Sequence, residues 1–132
     1  MEQYTIREVR YADHQAVCEL IQSVDLPKEV FIKNDDEETM RIILDDRSIC
    51  IYDGDKMLGF VLVTQRNYID TIISTKPGLG KQLLNALPPG KYMTHCSPMN
   101  NRSQALFTKA GFVHKETGTL YGEVRFIYVG TL

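Results

Sequence analysis

The stretch IISTKPGLGKQLLNAL, Ile72–Leu87, joins a β-branched apolar run to a helical leucine pattern through two glycines that bracket Leu79. A loop this tight, between a strand and a helix, is a phosphate cradle, a dinucleotide site or a plain turn. A P-loop is excluded, because Thr75 stands where its first glycine belongs and Gln82 replaces the magnesium-binding hydroxyl. A dinucleotide fingerprint is excluded as well, since its third glycine falls on Leu83. What survives is the physics both motifs share. A helix start offers unpaired N–H groups and partial positive charge, and glycine lets an anion approach the backbone. Lys76 and Lys81 flank the loop. A structural turn accounts for the same residues, so the neighbouring sequence must decide.

Upstream, YTIREVRY alternates like an opening strand, and Asp13 stands at an N-cap position ahead of Val17, Leu20, Ile21 and Val24. DLPKEVF breaks that helix at Pro27. Asp35 and Glu38 have capping-box spacing for a second helix, whose apolar stripe reads as Met40, Ile43 and Leu44. From Ser48 the period changes to two. SICIY and MLGFVLVTQ flank a hairpin tip at Asp53-Gly54, and NYIDTIIST follows as a third strand. After the glycine loop, Leu79, Leu83, Leu84 and Leu87 form a helix that PPG stops. KYMTHC is a strand, NNRSQALFTKAG an Asn-capped helix ending at Gly111, and FVHKET and EVRFIYV close the chain around GTLYG. The expected fold is α/β of the α+β kind. It has a mixed, mostly antiparallel sheet with helices on both faces, and a crossover helix that permits one parallel pair. Residues 1–132 are expected to form one domain.

Composition narrows the function. Net charge is −2 and the pI about 5.9, which gives no global attraction to nucleic acid or anionic membrane. Cys18, Cys50 and Cys96 are odd in number and far apart, so neither a disulfide framework nor a zinc site is expected. They read as thiols of a reducing compartment, and the charged start MEQYTIREVR lacks the apolar core of a signal peptide. A cytoplasmic protein without metal is the expectation.

The second motif resolves the first. NNRSQALFTKAGF puts Asn100 ahead of Phe107, Lys109 and Gly111-Phe112. With TKPGLG before it, the chain resembles the GNAT superfamily of acyl-CoA-dependent N-acyltransferases. The family's loop, Gln/Arg-x-x-Gly-x-Gly/Ala, is matched except at Thr75. Its Asn followed by Tyr-x-Lys-x-Gly-Phe is matched except at Phe107. The closing hairpin is similar to compact phage-encoded members.

The resemblance implies a GNAT-like fold whose fourth and fifth strands splay apart to admit pantetheine. Acetyl-CoA is then the co-substrate, without metal. Ile72, Ile73 and Ser74 would touch its pantetheine arm, and Lys76, Gly78, Leu79, Gly80 and Lys81 would hold its pyrophosphate. Asn100 would reach the pantetheine and Phe107 would stand near the sulfur. Lys109 would approach a phosphate, although it reads equally well as a solvated helix lysine. The implied activity is N-acetylation of a primary amine on a small molecule, peptide or protein, by a monomer or homodimer. Candidate bases are Asp70, read as sharing a face with Tyr68 and Ile72, and His95, which reads equally as a core histidine. Phe107 replaces the tyrosine that commonly protonates the leaving thiolate, which passes that role to Tyr92, Ser97 or water. A CoA-binding protein that lost the chemistry, and a nucleic-acid-modifying acyltransferase of phage type, are the alternatives. The acceptor would be gripped by DLPKEVFIKND and the final hairpin, neither of which carries a motif.

Overall fold

The computed structural model of the chain describes residues 4–45, 47–64 and 66–132; residues 1–3, 46 and 65, the last of which ends the strand reading MLGFVLVTQ, lie outside it. The elements are β1 (Thr5–Glu8), α1 (His14–Ser23), α2 (Asp36–Ile43), β2 (Ile49–Asp53), β3 (Lys56–Val63), β4 (Tyr68–Ser74), α3 (Leu79–Asn85), β5 (Lys91–Cys96), α4 (Asn101–Lys109), β6 (Val113–Leu120) and β7 (Glu123–Thr131). This is the expected order, with one 3₁₀ turn (Tyr11–Asp13) added before α1.

All seven strands form one sheet in the order β1-β2-β3-β4-β5-β7-β6. Every neighbouring pair is antiparallel except β4 with β5, which the α3 crossover makes parallel. The last strand inserts between β5 and β6, so the closing hairpin joins the sheet through β7.

Each face carries two helices. The leucines of α3, with Phe107 of α4 and Phe112, pack on Ile51, Val61, Val63 and Ile69. On the other face, Val17 and Ile21 of α1 and Ile42 and Ile43 of α2 cover Cys50, Phe60 and Leu62. Central β3 is buried on both faces and therefore reads as a continuous apolar run. Each fully buried Leu, Ile or Phe contributes about 1.5–3 kcal/mol.

Three local readings change. Asp13 does stand at the N-cap of α1, but its carboxylate makes no cap bond there. It is drawn instead to Arg7, Tyr52 and the N–H of Arg10, which are stronger partners. Asp35 caps α2 as expected, accepting from the Glu38 N–H at 2.8 Å. The stripe of α2, however, is Thr39, Ile42 and Ile43, and Leu44 is exposed. The Thr39 hydroxyl donates to the Asp35 carbonyl, so a polar residue can be buried and the face starts one position early. Finally, GTLYG is mostly strand. Its turn is only Tyr121-Gly122, with φ of 51° and 80°, the two positive values that a tight hairpin needs.

Candidate active site

The site begins with an irregularity in β4. Leu62 faces Thr71 but Val63 faces Ile69, so Asp70 is the extra residue of a β-bulge. The bulge ends the simple alternation. Ile72 packs with the α3 side of the core, while Asp70 turns to the loop after α1, where it accepts from the Asn34 amide and the Thr71 hydroxyl. The expected shared face of Tyr68, Asp70 and Ile72 is therefore corrected.

Beyond the bulge β4 and β5 part. They pair only at Tyr68–Met93 and Ile69–Thr94, with the Thr94 hydroxyl donating to the Ile69 carbonyl at 2.9 Å. His95 and Cys96 continue alone against β7. The wedge between the strands is part of a cavity of about 810 Å³, lined by residues from both faces of the sheet.

At one end the cavity is closed by Val30 and Phe31 of the loop between α1 and α2, and lined by Asp70, His95 and Arg125. Among the described residues Asp70 is the one carboxylate on its wall. His95 stacks on Tyr68, with ring centroids 5.7 Å apart, and its Nδ1 is buried without a partner. Burial, then the neighbouring Arg125 cation, push its imidazole down to about 4 against a partial opposing pull from Asp70, so it is neutral near pH 7. Arg125 is 3 % exposed; its Nη1 donates to the Val30 carbonyl at 3.2 Å and its Nε has no partner. Burial lowers its pKa. Cys96, whose thiol burial pushes up to about 11, is a protonated wall residue and no nucleophile.

The other end is basic. Gly78, Gly80 and Lys81 of the glycine loop face Arg102 and Lys109 of α4, and all three cations are exposed at the rim. Gly78 has φ of 86°, and a Cβ there would meet nothing within 4 Å. It is the position that requires glycine for its backbone conformation and leaves open space above the loop. Gly80 is helical, and a Cβ on it would lie 3.1 Å from the Leu106 side chain. Its small size therefore serves the packing of α3 on α4, so a larger residue there would strain the helix pair rather than fill the space above the loop. Thr75 turns its hydroxyl away, to the Leu58 carbonyl.

Ile72, Ile73, Ser74 and Asn100 line the middle, where Asn100 also caps α4 by accepting from the Ser103 N–H. Phe107 lines it too, fully buried against Phe112 and Tyr128. Three predicted residues lie elsewhere. Leu79 is core, Lys76 sits with its Nζ 5.8 Å from the centroid of the Tyr4 ring, and the buried Tyr92 donates its hydroxyl to the Pro88 carbonyl. Ser97, also buried, accepts from the Met99 N–H. Tyr92 and Ser97 are thereby withdrawn as acids: neither lines the cavity. Sequence reading passed over Arg125 and Asn34. A lone arginine inside the apolar strand EVRFIYV was the available signal for the first; Asn34, in a loop, gave none.

The cavity thus joins a rim of three cations to a region holding one carboxylate, one neutral imidazole and one guanidinium, with mostly apolar walls between. No protein-family model and no curated protein matches the sequence. Solved structures do match in shape. A GNAT-family acetyltransferase from Bacillus cereus aligns with a TM-score of 0.77 over 98% of this chain and 97% of its own, at 14% identity. Ard1 from Thermoplasma volcanium aligns with a TM-score of 0.81 over 98% and 97%, at 13% identity. The diaminobutyrate acetyltransferase EctA from Paenibacillus lautus, in complex with L-2,4-diaminobutyric acid and coenzyme A, aligns with a TM-score of 0.74 over 98% and 95%, at 17% identity. At such identities the likeness is one of backbone path, and it extends over nearly the whole chain: this protein has the fold of the GNAT acyl-CoA N-acyltransferases.

Proposed function

We propose that this protein is an N-acetyltransferase that transfers an acetyl group from acetyl-CoA to a primary amine. The observation that carries this reading is the parting of β4 from β5 after two paired positions, which opens a wedge between a basic rim and a polar inner end. The residues fit the co-substrate. Unpaired edges of β4 and β5 suit an extended amide-bearing arm, the open side of Gly78 leaves room for phosphate, and Lys81, Arg102 and Lys109 oppose its charge. Acetyl-CoA, when bound, supplies an activated acetyl thioester whose C–S bond is exchanged for the amide C–N bond, one amine proton ending on the thiol.

The chain's own residues position the amine. An amine near pKa ~10.4 arrives as an ammonium and must lose a proton before it can attack. Asp70 attracts that ammonium and receives the proton, held in place by Asn34 and Thr71. His95, neutral in this setting, offers a hydrogen-bond acceptor rather than a competing cation. Phe107 and Phe31 keep the wall of the reaction space apolar and dry.

Phe107 also supports a second reading, a CoA-binding protein of weak turnover, because no hydroxyl stands there to protonate the thiolate. The handicap is small: a thiol of pKa ~8.5 leaving as thiolate at pH 7 forgoes about 2 kcal/mol. The test is calorimetric titration with acetyl-CoA in EDTA, followed by thiol-release assays with a panel of amines. Binding unaffected by EDTA with amine-dependent thiol release supports acetyl transfer, binding without release supports the second reading, and absence of binding ends both.

A further inference from the structure

The inner end of the cavity carries more than an acetyl transfer to any amine requires. Arg125, near the start of β7, reaches the loop after α1, is almost wholly buried, and lines the cavity. Of its five N–H donors, one on Nη1 goes to the neutral Val30 carbonyl, and that on Nε is buried with no partner. Among the described residues no carboxylate lies within ion-pair distance of it. Glu123, two positions earlier on β7, is engaged instead with Lys28 at 3.9 Å. A buried guanidinium left in this condition is costly, and a free-standing structural role would not require it.

Asp70 lines the same end, and its charge and that of Arg125 both act on His95 and on Tyr68 between them. Yet Asp70 and Arg125 make no ion pair with each other, and Asp70 is held back by Asn34 and Thr71. The cavity therefore presents a separated anion and cation to whatever enters. An uncharged or purely cationic acceptor would satisfy one and leave the other bare. A zwitterion satisfies both.

Resting on the acetyltransferase reading, we propose that the acceptor is a small amine carrying a carboxylate, an amino acid in the broad sense, whose carboxylate is bound by Arg125 while its ammonium faces Asp70. The planar fork of arginine suits a carboxylate through two parallel hydrogen bonds, and lysine cannot reproduce that geometry. Two neighbouring phenomena fit the same assignment. The unpartnered His95 Nδ1 leaves one further polar atom for the ligand, and the apolar Val30 and Phe31 cover the site, strengthening a buried charge pair.

The experiment uses the full chain and three forms, wild type, Arg125→Met and Arg125→Lys. Thiol release from acetyl-CoA is measured with the twenty common L-amino acids, β-alanine and γ-aminobutyrate, each beside its carboxamide, and with cadaverine and putrescine. Calorimetry with acetyl-CoA runs in parallel. The expected result is at least one carboxylate-bearing amine preferred over its carboxamide by 10²-fold or more in kcat/KM. Arg125→Met should abolish that preference, mostly through KM, leaving acetyl-CoA affinity within about twofold, and Arg125→Lys should restore only a small part of it. Equal or better use of carboxamides or diamines overturns the proposal, as does an equal loss for both members of a pair. Acetyl-CoA binding with no turnover of any carboxylate-bearing amine overturns it too. Failure to bind acetyl-CoA at all is a different result, and it removes the underlying activity.

Discussion

Two arginines of this sheet live in opposite circumstances. Arg7, on edge strand β1, is tied twice to Asp13, at 2.8 and 2.9 Å, and lies 4.9 Å from the centroid of the Tyr52 ring. Tyr52 and the Arg10 N–H complete the coordination of Asp13, so every charge in that corner is answered within the chain. The bond to Arg7 is the main reason that Asp13 is pushed down to about 2. Arg125, near the middle of the fold, is more deeply buried and far less satisfied. The first arrangement holds β1, the turn before α1 and β2 together. The second has one neutral carbonyl partner and a buried Nε with none, a geometry that fits the anionic ligand proposed above. A satisfied buried charge belongs to architecture, and an unsatisfied one at a cavity wall belongs to binding.

Stability measurements can break this contrast. The largest effect is expected for Asp13→Asn, which leaves the Arg7 cation without its counter-charge in a partly buried corner. Urea unfolding should show a loss of about 3 kcal/mol, within the range for breaking such pairs. A loss below about 1 kcal/mol would place Arg7 with the many surface pairs that contribute little.

The next effect separates the two corners by pH. His95 titrates at about 4 in the folded chain and at its ordinary value near 6.5 when unfolded. Between those limits the unfolded chain binds the proton and the native chain does not, so stability falls as pH drops from 6.5 to 4. The shift corresponds to roughly 3 kcal/mol by the lower limit. His95→Asn should flatten that segment of the stability–pH curve. The Asp13 corner has a depressed folded pKa, so its contribution is intact above the ordinary carboxylate range and is lost only as pH falls toward 2. A wild-type curve that stays flat down to pH 4 would contradict the desolvated environment assigned to His95.

A smaller effect, of opposite sign to the first, is expected for Arg125→Met without ligand. Removing an unpaired buried cation and keeping an apolar stem should leave the melting temperature unchanged or raise stability by about 1 kcal/mol. A fall as large as that of Asp13→Asn would mean that both arginines are structural.

The smallest change sharpens the chemistry between the corners. Phe107→Tyr should raise turnover by roughly tenfold or less, because a thiolate needs little acid assistance. Steady-state rates with one confirmed acceptor decide it. A marked fall with acetyl-CoA affinity intact would assign Phe107 to shaping the acceptor end.

The order of elements and both glycine-bearing caps were legible because they depend on neighbours in sequence. Period-two runs, the Asp35 and Asn100 caps, the hairpin glycine at position 54 and the helix-ending glycine at position 111 act over four or five residues. The glycine loop, with Asn100, Phe107 and Lys109, was legible for a related reason: two short motifs carry it. What stayed hidden was decided between distant segments. Asp13 looked like a cap and became the partner of Arg7 and Tyr52. Tyr92 looked available and donates to the Pro88 carbonyl, and the lack of a side chain at Gly80, which lines the cavity, also makes room for Leu106.

By itself, then, the sequence determined a mixed sheet flanked by helices, a crossover through α3 that permits a parallel pair, and a glycine turn at the start of α3, since local periodicity, capping and turn chemistry suffice for these. Only the tertiary structure decided that Asp70 would be the bulged residue, that β5 would leave β4 after two pairs, and that β7 would enter the sheet beside β5. Those events bring residues 30, 70, 95 and 125 to one cavity end, across 95 positions of chain. Strand register and the burial of a charge depend on what packs opposite, and no local pattern in the chain encodes that partner.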